Sequence, residues 1–137
     1  MKKREPVSKI MTSDVITLNH TDNLDTAEQL FKSNNIRHIP VVSGTSIIGM
    51  LSLTDLLRIS FADAAAGGTV DTTVYNMFTI EQVMVKSVVS VSSDTTIKEA
   101  AEILSSKEFH ALPVVDNGEL AGIITTTDLI NYLLDQY

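Results

Sequence analysis

Residues 49–57 read GMLSLTDLL, and residues 122–130 read GIITTTDLI. In both stretches an apolar run predicts a strand, hydroxyl residues follow where a helix would begin, and an aspartate stands in the first turn of that helix. The sequence therefore predicts a strand-to-helix junction that occurs twice. Polar groups at a helix N-terminus make each junction a candidate binding edge.

The rest of the chain repeats with the same spacing. Pro40 and Pro113 stand 73 residues apart, as do Asp55 and Asp128. Such repetition predicts two copies of one supersecondary unit that share a core. We expect the first repeat at residues 1–61, a linker at 62–79 and the second repeat at 80–137. The linker pattern favours partial order, although its glycines also suit a nearly disordered linker.

Each repeat predicts the order strand, helix, strand, strand, helix. A short β-rich run at 15–18 opens the first repeat, with Asn23 as N-cap of the next helix, and Thr96 and Glu99 form a capping-box pattern in the second. Hairpins are expected at 36–42 with 47–51 and at 111–115 with 120–125, followed by helices near 54–61 and 127–134. The predicted fold class is α/β (α+β), with two pseudo-twofold-related β-α-β-β-α repeats packed through their sheets.

Composition narrows the classes of function. The formal net charge of -7 argues against a duplex nucleic-acid partner, which calls for a clustered basic face. The chain contains no cysteine, which excludes thiolate metal sites and cysteine nucleophiles and fits a reducing cytoplasm. No apolar run approaches the ~18 residues of a spanning helix, so we expect no membrane segment. We find no metal-ligand spacing and no nucleophile with a paired base, and we expect neither catalysis nor a cofactor.

These motifs resemble the CBS (cystathionine β-synthase) domain in tandem, a Bateman module. The resemblance rests on RHIPVV at 37–42 with GMLSLTD at 49–55, and again on HALPVV at 110–115 with GIITTTD at 122–128. It implies a regulatory module that binds AMP, ADP or ATP, and sometimes S-adenosylmethionine or a dinucleotide, in clefts between the two repeats. It implies no reaction.

The resemblance also implies roles for individual residues. Asp55 and Asp128 are expected to bind the ribose hydroxyls, because their ionised carboxylates only accept hydrogen bonds. The phosphate is expected at hydroxyl and basic side chains around the helix start, namely Ser52, Thr54, Thr125, Thr127, Arg37, His38 and His110. The adenine base is expected in a slot lined by Ile16, Thr17, Ile39, Pro40, Val89, Ser90, Leu112 and Pro113.

The two sites differ at one of these positions. Ala111 stands where the first repeat has His38, so we expect unequal affinities. Simpler readings of the same residues stay open at this point. The aspartates also satisfy free N–H groups at a helix start, the basic residues also suit an exposed strand, and the slot residues also suit a plain core. The alternative function is a ligand-free scaffold for dimerisation or protein interaction.

Two partners besides the ligand follow from the same pattern. The closing helices carry more apolar residues than one small sheet pair covers, which predicts a homodimer. A regulated protein of unknown identity is the second expected partner.

Overall fold

A computed structural model of the protein describes residues 4–65, 77–86, 88–107 and 110–137. The first repeat has the predicted order strand, helix, strand, strand, helix. In the second repeat the predicted opening strand is wrong for the described residues, where an isolated parallel bridge between Val91 and Val114 takes its place. The order of elements confirms the mixed α/β fold with two repeats. The elements, in chain order, are a 3-10 turn Val7–Lys9, β1 Leu18–Asn19, α1 Leu24–Asn34, β2 His38–Ser43, β3 Ser46–Ser52, α2 Leu53–Ala65, α3 Ile80–Val83, α4 Ile97–Ser106, β4 Ala111–Asp116, β5 Glu119–Thr125 and α5 Thr126–Asp135.

Both predicted helix caps are confirmed. Asn23 is the N-cap of α1, where its side-chain oxygen accepts the backbone N–H of Thr26 at 2.9 Å. Thr96 and Glu99 form a capping box at α4, with both reciprocal hydrogen bonds present. These caps satisfy N–H groups that have no partner inside the helix, which fixes where each helix begins.

The two predicted hairpins are also confirmed, and each turns over two residues. Gly44 has φ +66 in the loop between β2 and β3, and Asn117 and Gly118 have φ 52 and 80 between β4 and β5. Positive φ at both loop positions suits the right-handed twist of the flanking strands, which explains why an Asn-Gly pair stands there.

Pro40 and Pro113 are buried in the first strand of each hairpin. A proline inside a sheet has no N–H for the ladder, so it is tolerated on an edge strand or at an irregular position. β2 is the central strand of the sheet β1-β2-β3, and a β-bulge follows at Val41/Val42 and again at Val114/Val115. The missing N–H therefore lies beside an irregular part of the ladder.

The first strand differs from the prediction. It covers Leu18–Asn19 and pairs in parallel with Val41 and Val42, so the expected run at 15–18 is strand only at its last residue. The reason lies in Pro40, which has no N–H to donate to a neighbouring strand. Pairing consequently starts only beyond the proline.

The chain divides into two compact units, one of Ile16–Ser87 and one of Met1–Val15 with Val88–Tyr137. Each unit has its own apolar core. The core of the unit 16–87 includes Leu18, Leu24, Phe31, Ile39, Leu51, Leu56 and Ile80, and that of the other unit includes Val7, Ile97, Leu104, Leu112, Val114 and Ile124. We call the first the continuous unit and the second the split unit.

A leading segment extends the hairpin of each unit. Met50 of β3 exchanges two backbone hydrogen bonds with Val85, at 3.0 and 2.9 Å. Ile123 of β5 exchanges two with Thr12, also at 3.0 and 2.9 Å. A segment near the start of the first sequence repeat therefore pairs with the hairpin of the split unit.

Further contacts anchor the N-terminal segment in the split unit. The backbone N–H of Ile97 donates to the carbonyl of Glu5 at 2.8 Å, and that of Val7 donates to the carbonyl of Thr95 at 2.8 Å. The hydroxyl of Tyr132 donates to Glu5 Oε2 at 2.6 Å. This hydrogen bond to a carboxylate raises the pKa of Tyr132 above its ordinary value of 10.0.

Two predictions concern other parts of the chain. The linker prediction for residues 62–79 falls largely on residues 66–76, which lie outside the described ranges. In the described part of the chain no helix is both long and apolar enough to cross a membrane.

Candidate functional site

The duplicated stretch forms the expected strand-to-helix junction in both units. In the continuous unit β3 ends at Ser52, and α2 begins at Leu53. In the split unit β5 ends at Thr125, and α5 begins at Thr126. We call these the first and the second junction.

A hydroxyl caps the helix at each junction. The backbone N–H of Asp55 donates to Ser52 Oγ at 3.0 Å, and the backbone N–H of Asp128 donates to Thr125 Oγ1 at 3.1 Å. Each hydroxyl thus accepts a bond from the helix and keeps its own hydrogen to donate. Ser52 and Thr125 are half-buried, whereas Thr54 and Thr127 are exposed on the first helical turn.

The residues that carry the predicted basic groups are tied to the helix start. The backbone N–H of Leu53 donates to the carbonyl of Arg37 at 2.9 Å, and that of Thr126 donates to the carbonyl of His110 at 3.0 Å. The structure therefore brings Arg37 and His110 to the junctions in equivalent places, and both side chains are exposed.

Sheet register places the second basic residue there as well. His38 lies opposite Ser52 in the β2–β3 pair, and Ala111 lies opposite Thr125 in the β4–β5 pair. Residues directly opposite on neighbouring strands have side chains about 5 Å apart, on the same face. Only the first junction has a titratable side chain at this position.

The predicted base slot divides by burial. Ile39 and Leu112 belong to the two cores and are 0% and 1% exposed, and Pro40 and Pro113 are buried. Of the remaining four residues, Ile16 is half-buried, and Thr17, Val89 and Ser90 are exposed. The accessible residues of the predicted slot are therefore those just before β1 in the continuous unit and just before the parallel bridge of Val91 with Val114 in the split unit.

The two carboxylates have different partners. Asp128 Oδ2 accepts the backbone N–H of Thr125 at 2.9 Å and completes a capping box. Asp55 Oδ1 instead lies 3.4 Å from Arg58 Nη1, and the carboxylate is 18% exposed. Sequence reasoning missed Arg58, although pairs of opposite charge three residues apart on a helix are a recognised signal.

No cluster of three or more His, Asp or Glu residues that could hold a metal ion occurs within the ranges that the structure describes. Both junctions provide hydrogen-bond acceptors and hydroxyls, and the first also has the positively charged side chains of Arg37 and Arg58.

The family model described as the CBS domain matches the chain twice, at residues 7–62 and 80–135. Protein MJ1225 of Methanocaldococcus jannaschii is 29% identical over 136 residues, which cover 95% of this chain and 48% of that protein. The crystal structure of MJ1225 superposes with a TM-score of 0.84 at 27% identity and covers 97% of this chain and 49% of the other. The chain spans about half or less of the curated relatives that match it first.

Two further solved structures share the fold. CBSX2, solved in complex with AMP, has a TM-score of 0.80 at 24% identity and covers 96% of this chain and 98% of its own. The pair from protein MJ0100, solved with 5'-methylthioadenosine and S-adenosyl-L-methionine, has a TM-score of 0.79 at 22% identity and covers 96% and 98%. At these identities the likeness establishes the fold and nothing finer.

Proposed function

Since the chain belongs to the CBS domain family as a tandem pair, we propose that it is a non-catalytic regulatory module that binds adenosine-containing ligands, with AMP, ADP or ATP as first candidates. The observation that carries the proposal is the junction itself. It occurs once in each unit, and both copies set a carboxylate and a capping hydroxyl at a helix N-terminus. The repeats are proposed at residues 1–61 and 80–137, with a linker at 62–79.

The chemistry of the junction suits a ribose and a phosphate together. An ionised carboxylate has acceptors only, so Asp55 and Asp128 match the two adjacent O–H donors of a ribose. The helix N-terminus carries a partial positive charge and free N–H groups, which favour an anion. We assign the ribose to the aspartates and the phosphate to the hydroxyl and basic side chains around them.

Solved neighbours support this ligand class. One was crystallised with AMP, and another with 5'-methylthioadenosine and S-adenosyl-L-methionine. These ligands have the adenosine moiety in common and differ in charge. S-adenosylmethionine is therefore the alternative ligand, and a dinucleotide is the next.

A ligand-free scaffold is the second candidate, and one observation favours it. Asp128 already accepts the Thr125 N–H in a complete capping box, so its place in the sequence has a structural reason without any ligand. Under this reading, replacement of Asp128 lowers the stability of the protein and leaves partner binding unchanged.

Isothermal titration calorimetry with AMP, ADP, ATP and S-adenosylmethionine separates the two candidates. We expect wild-type protein to bind at least one of these ligands. Asp55→Asn and Asp128→Asn should each weaken the affinity of their own junction about tenfold or more, because hydrogen bonds to charged groups contribute about 1.5–3 kcal/mol. Asparagine keeps the shape and one acceptor oxygen, so the fold should persist.

The matched control is Asp25→Asn, which removes a first-turn carboxylate from α1 in the continuous unit but outside the junction. Its ligand affinity should equal that of the wild type. Absence of heat with all four ligands would leave the scaffold as the function of the module.

Protein partners form the second part of the proposal. Exposed apolar residues recur on α5 at helical spacing, at Ile130, Leu133 and Leu134, which are 52%, 45% and 64% exposed. Burial of such a stripe against a second copy of the chain gives a homodimer with a self-complementary interface. Ligand binding would regulate a partner protein by shifting the module between two conformational states. The size of that shift is limited by how much more tightly the ligand binds one state than the other.

A further inference from the structure

The two junctions differ in charge at equivalent positions. Repeat spacing aligns Arg37 with His110 and His38 with Ala111. One helical turn beyond the aspartates, it aligns Arg58 with Asn131. With histidine counted as neutral, these positions and Asp55 leave the first junction with one net positive charge, whereas Asp128 leaves the second with one net negative charge.

Arg58 belongs to the lining of the first junction by contact. Its Nη1 lies 3.4 Å from Asp55 Oδ1, and its side chain is 73% exposed. Helical side chains lean toward the N-terminus of the helix, which aims residue 58 back over the turn that holds residue 55. Ion pairs this exposed contribute about 0–1 kcal/mol, so the guanidinium can turn to a phosphate at little cost.

The second junction has no cation at the matching place. Asn131 is exposed and uncharged, and the residue opposite Thr125 is Ala111. Asp128 Oδ2 accepts the Thr125 N–H at 2.9 Å. A phosphate dianion would approach this carboxylate without an arginine at either matching position to offset the repulsion, which is largest at short range.

We propose that the two junctions take different classes of adenosine ligand. The first junction takes a phosphorylated adenosine nucleotide, with Arg58 and Arg37 as the residues that set this specificity. The second junction takes an adenosine derivative without phosphate, either uncharged or with a positive charge on its 5' substituent. This inference rests on the proposed function, because it divides its ligand class between the two sites.

Calorimetry on two single variants isolates each junction in the full chain. Asp55→Asn leaves the second junction intact, and Asp128→Asn leaves the first. AMP, adenosine and S-adenosylmethionine serve as anionic, neutral and cationic probes. We expect Asp128→Asn protein to prefer AMP about tenfold or more over adenosine. Asp55→Asn protein should prefer adenosine or S-adenosylmethionine over AMP by a similar factor.

Arg58→Asn, combined with Asp128→Asn, gives the first junction the residue found in the second. We expect AMP affinity to fall about tenfold while adenosine affinity stays unchanged. AMP binding should weaken between low and physiological salt when Arg58 is present, and this salt dependence should be smaller in the Arg58→Asn variant. Lys32→Asn is the control, since it removes one exposed positive charge that pairs with Glu28 on α1 in the same unit.

The outcomes separate the two levels of the proposal. If both single variants bind AMP and adenosine with the same preference, the division of ligands is overturned and the proposed function stands. If Arg58→Asn weakens adenosine as much as AMP, the phosphate role of Arg58 is overturned. If neither the wild type nor any variant binds a probe, the proposed function itself fails.

Discussion

Gly49 and Gly122 begin the two copies of the junction motif, and the structure gives each a steric reason. A Cβ atom at Gly49 would meet the side chain of Met84, in contact with its Sδ atom. A Cβ atom at Gly122 would lie 2.7 Å from Met11 Sδ and 2.8 Å from the carbonyl oxygen of Thr12. Both glycines therefore leave room for the leading segment that pairs with the strand.

Alanine at these two positions should affect stability unequally. Gly122→Ala meets a backbone carbonyl that is fixed by pairing with Ile123, so we expect a loss of about 1–3 kcal/mol in the free energy of unfolding. Gly49→Ala meets only a flexible methionine side chain, so its loss should be below about 1 kcal/mol. Urea denaturation of both variants measures the difference, and equal losses would contradict the close approach of Thr12.

Single residues also show where sequence reasoning reached its limit. The pairing of Ser52 with Asp55 follows from a local pattern of three-residue spacing, and the structure confirms the helix start that it predicts. The pairing of Arg58 with Asp55 is equally local, but an exposed ion pair at this spacing is common on helices and does not by itself indicate a binding residue. Burial of Ile39 and Leu112 depends on contacts far along the chain, and residue type alone leaves core and slot undecided.

Elements were predicted best where a local hydrogen bond fixes them. The caps at Asn23 and Thr96 and the Asn-Gly turn are all encoded within four residues, and all are present. The extent of β1 was not predictable in the same way, because it depends on which residues of β2 can donate. The partner of Thr12 was missed for a similar reason, since the pattern of one strand does not identify a neighbour more than a hundred residues away.

One hydrogen bond between a loop and a strand should make part of the free energy of unfolding depend on pH in the acid range. The backbone N–H of Ser93 donates to Asp116 Oδ1 at 3.0 Å and lowers the pKa of Asp116 below its ordinary value of 3.8. A carboxyl group whose pKa falls on folding stabilises the native state above the unfolded pKa. The contribution is lost as pH falls through the folded value.

Asp116→Asn should therefore be less stable than the wild type at pH 7, and the gap should shrink as pH drops from about 5 to below 3.8. Urea unfolding across this range measures the gap. Asp14→Asn, at an exposed position of the same unit, is the control and should show no such convergence. A gap that stays constant with pH would rule out the Ser93 hydrogen bond as its source.

The whole molecule combines two units. The core of the continuous unit comes from the middle of the chain, and the core of the split unit comes from both ends. The tandem arrangement was predictable because the 73-residue repetition runs without gaps between Pro40 and Pro113 and between Asp55 and Asp128. Which residues make up each unit was not predictable from the repeat, because residues 1–15 pack with residues 88–137. Repeats in a sequence identify equivalent elements, whereas pairing between strands decides which elements fold together.

The apolar stripe of α5 tests the assembly at this scale. Leu134→Glu introduces a charge at a side chain that is 64% exposed, so the fold should tolerate it. We expect the wild type to scatter light as a dimer at micromolar concentration and the variant as a monomer, because an unpaired charge is costly in an apolar interface. Gln136→Glu adds the same charge at the C-cap of α5 and should leave the dimer intact. A wild type that is monomeric would contradict the proposed interface.

The central claim is that each duplicated junction binds an adenosine ligand through its aspartate. A crystal structure of the protein with AMP tests this claim most directly. We predict that the ribose hydroxyls lie within about 3 Å of the Asp55 carboxylate, with the phosphate at Ser52 and Arg37 and with Arg58 turned from Asp55 toward the phosphate. Density for AMP at a place that contacts neither Asp55 nor Asp128, with both helix caps unchanged, would contradict the account.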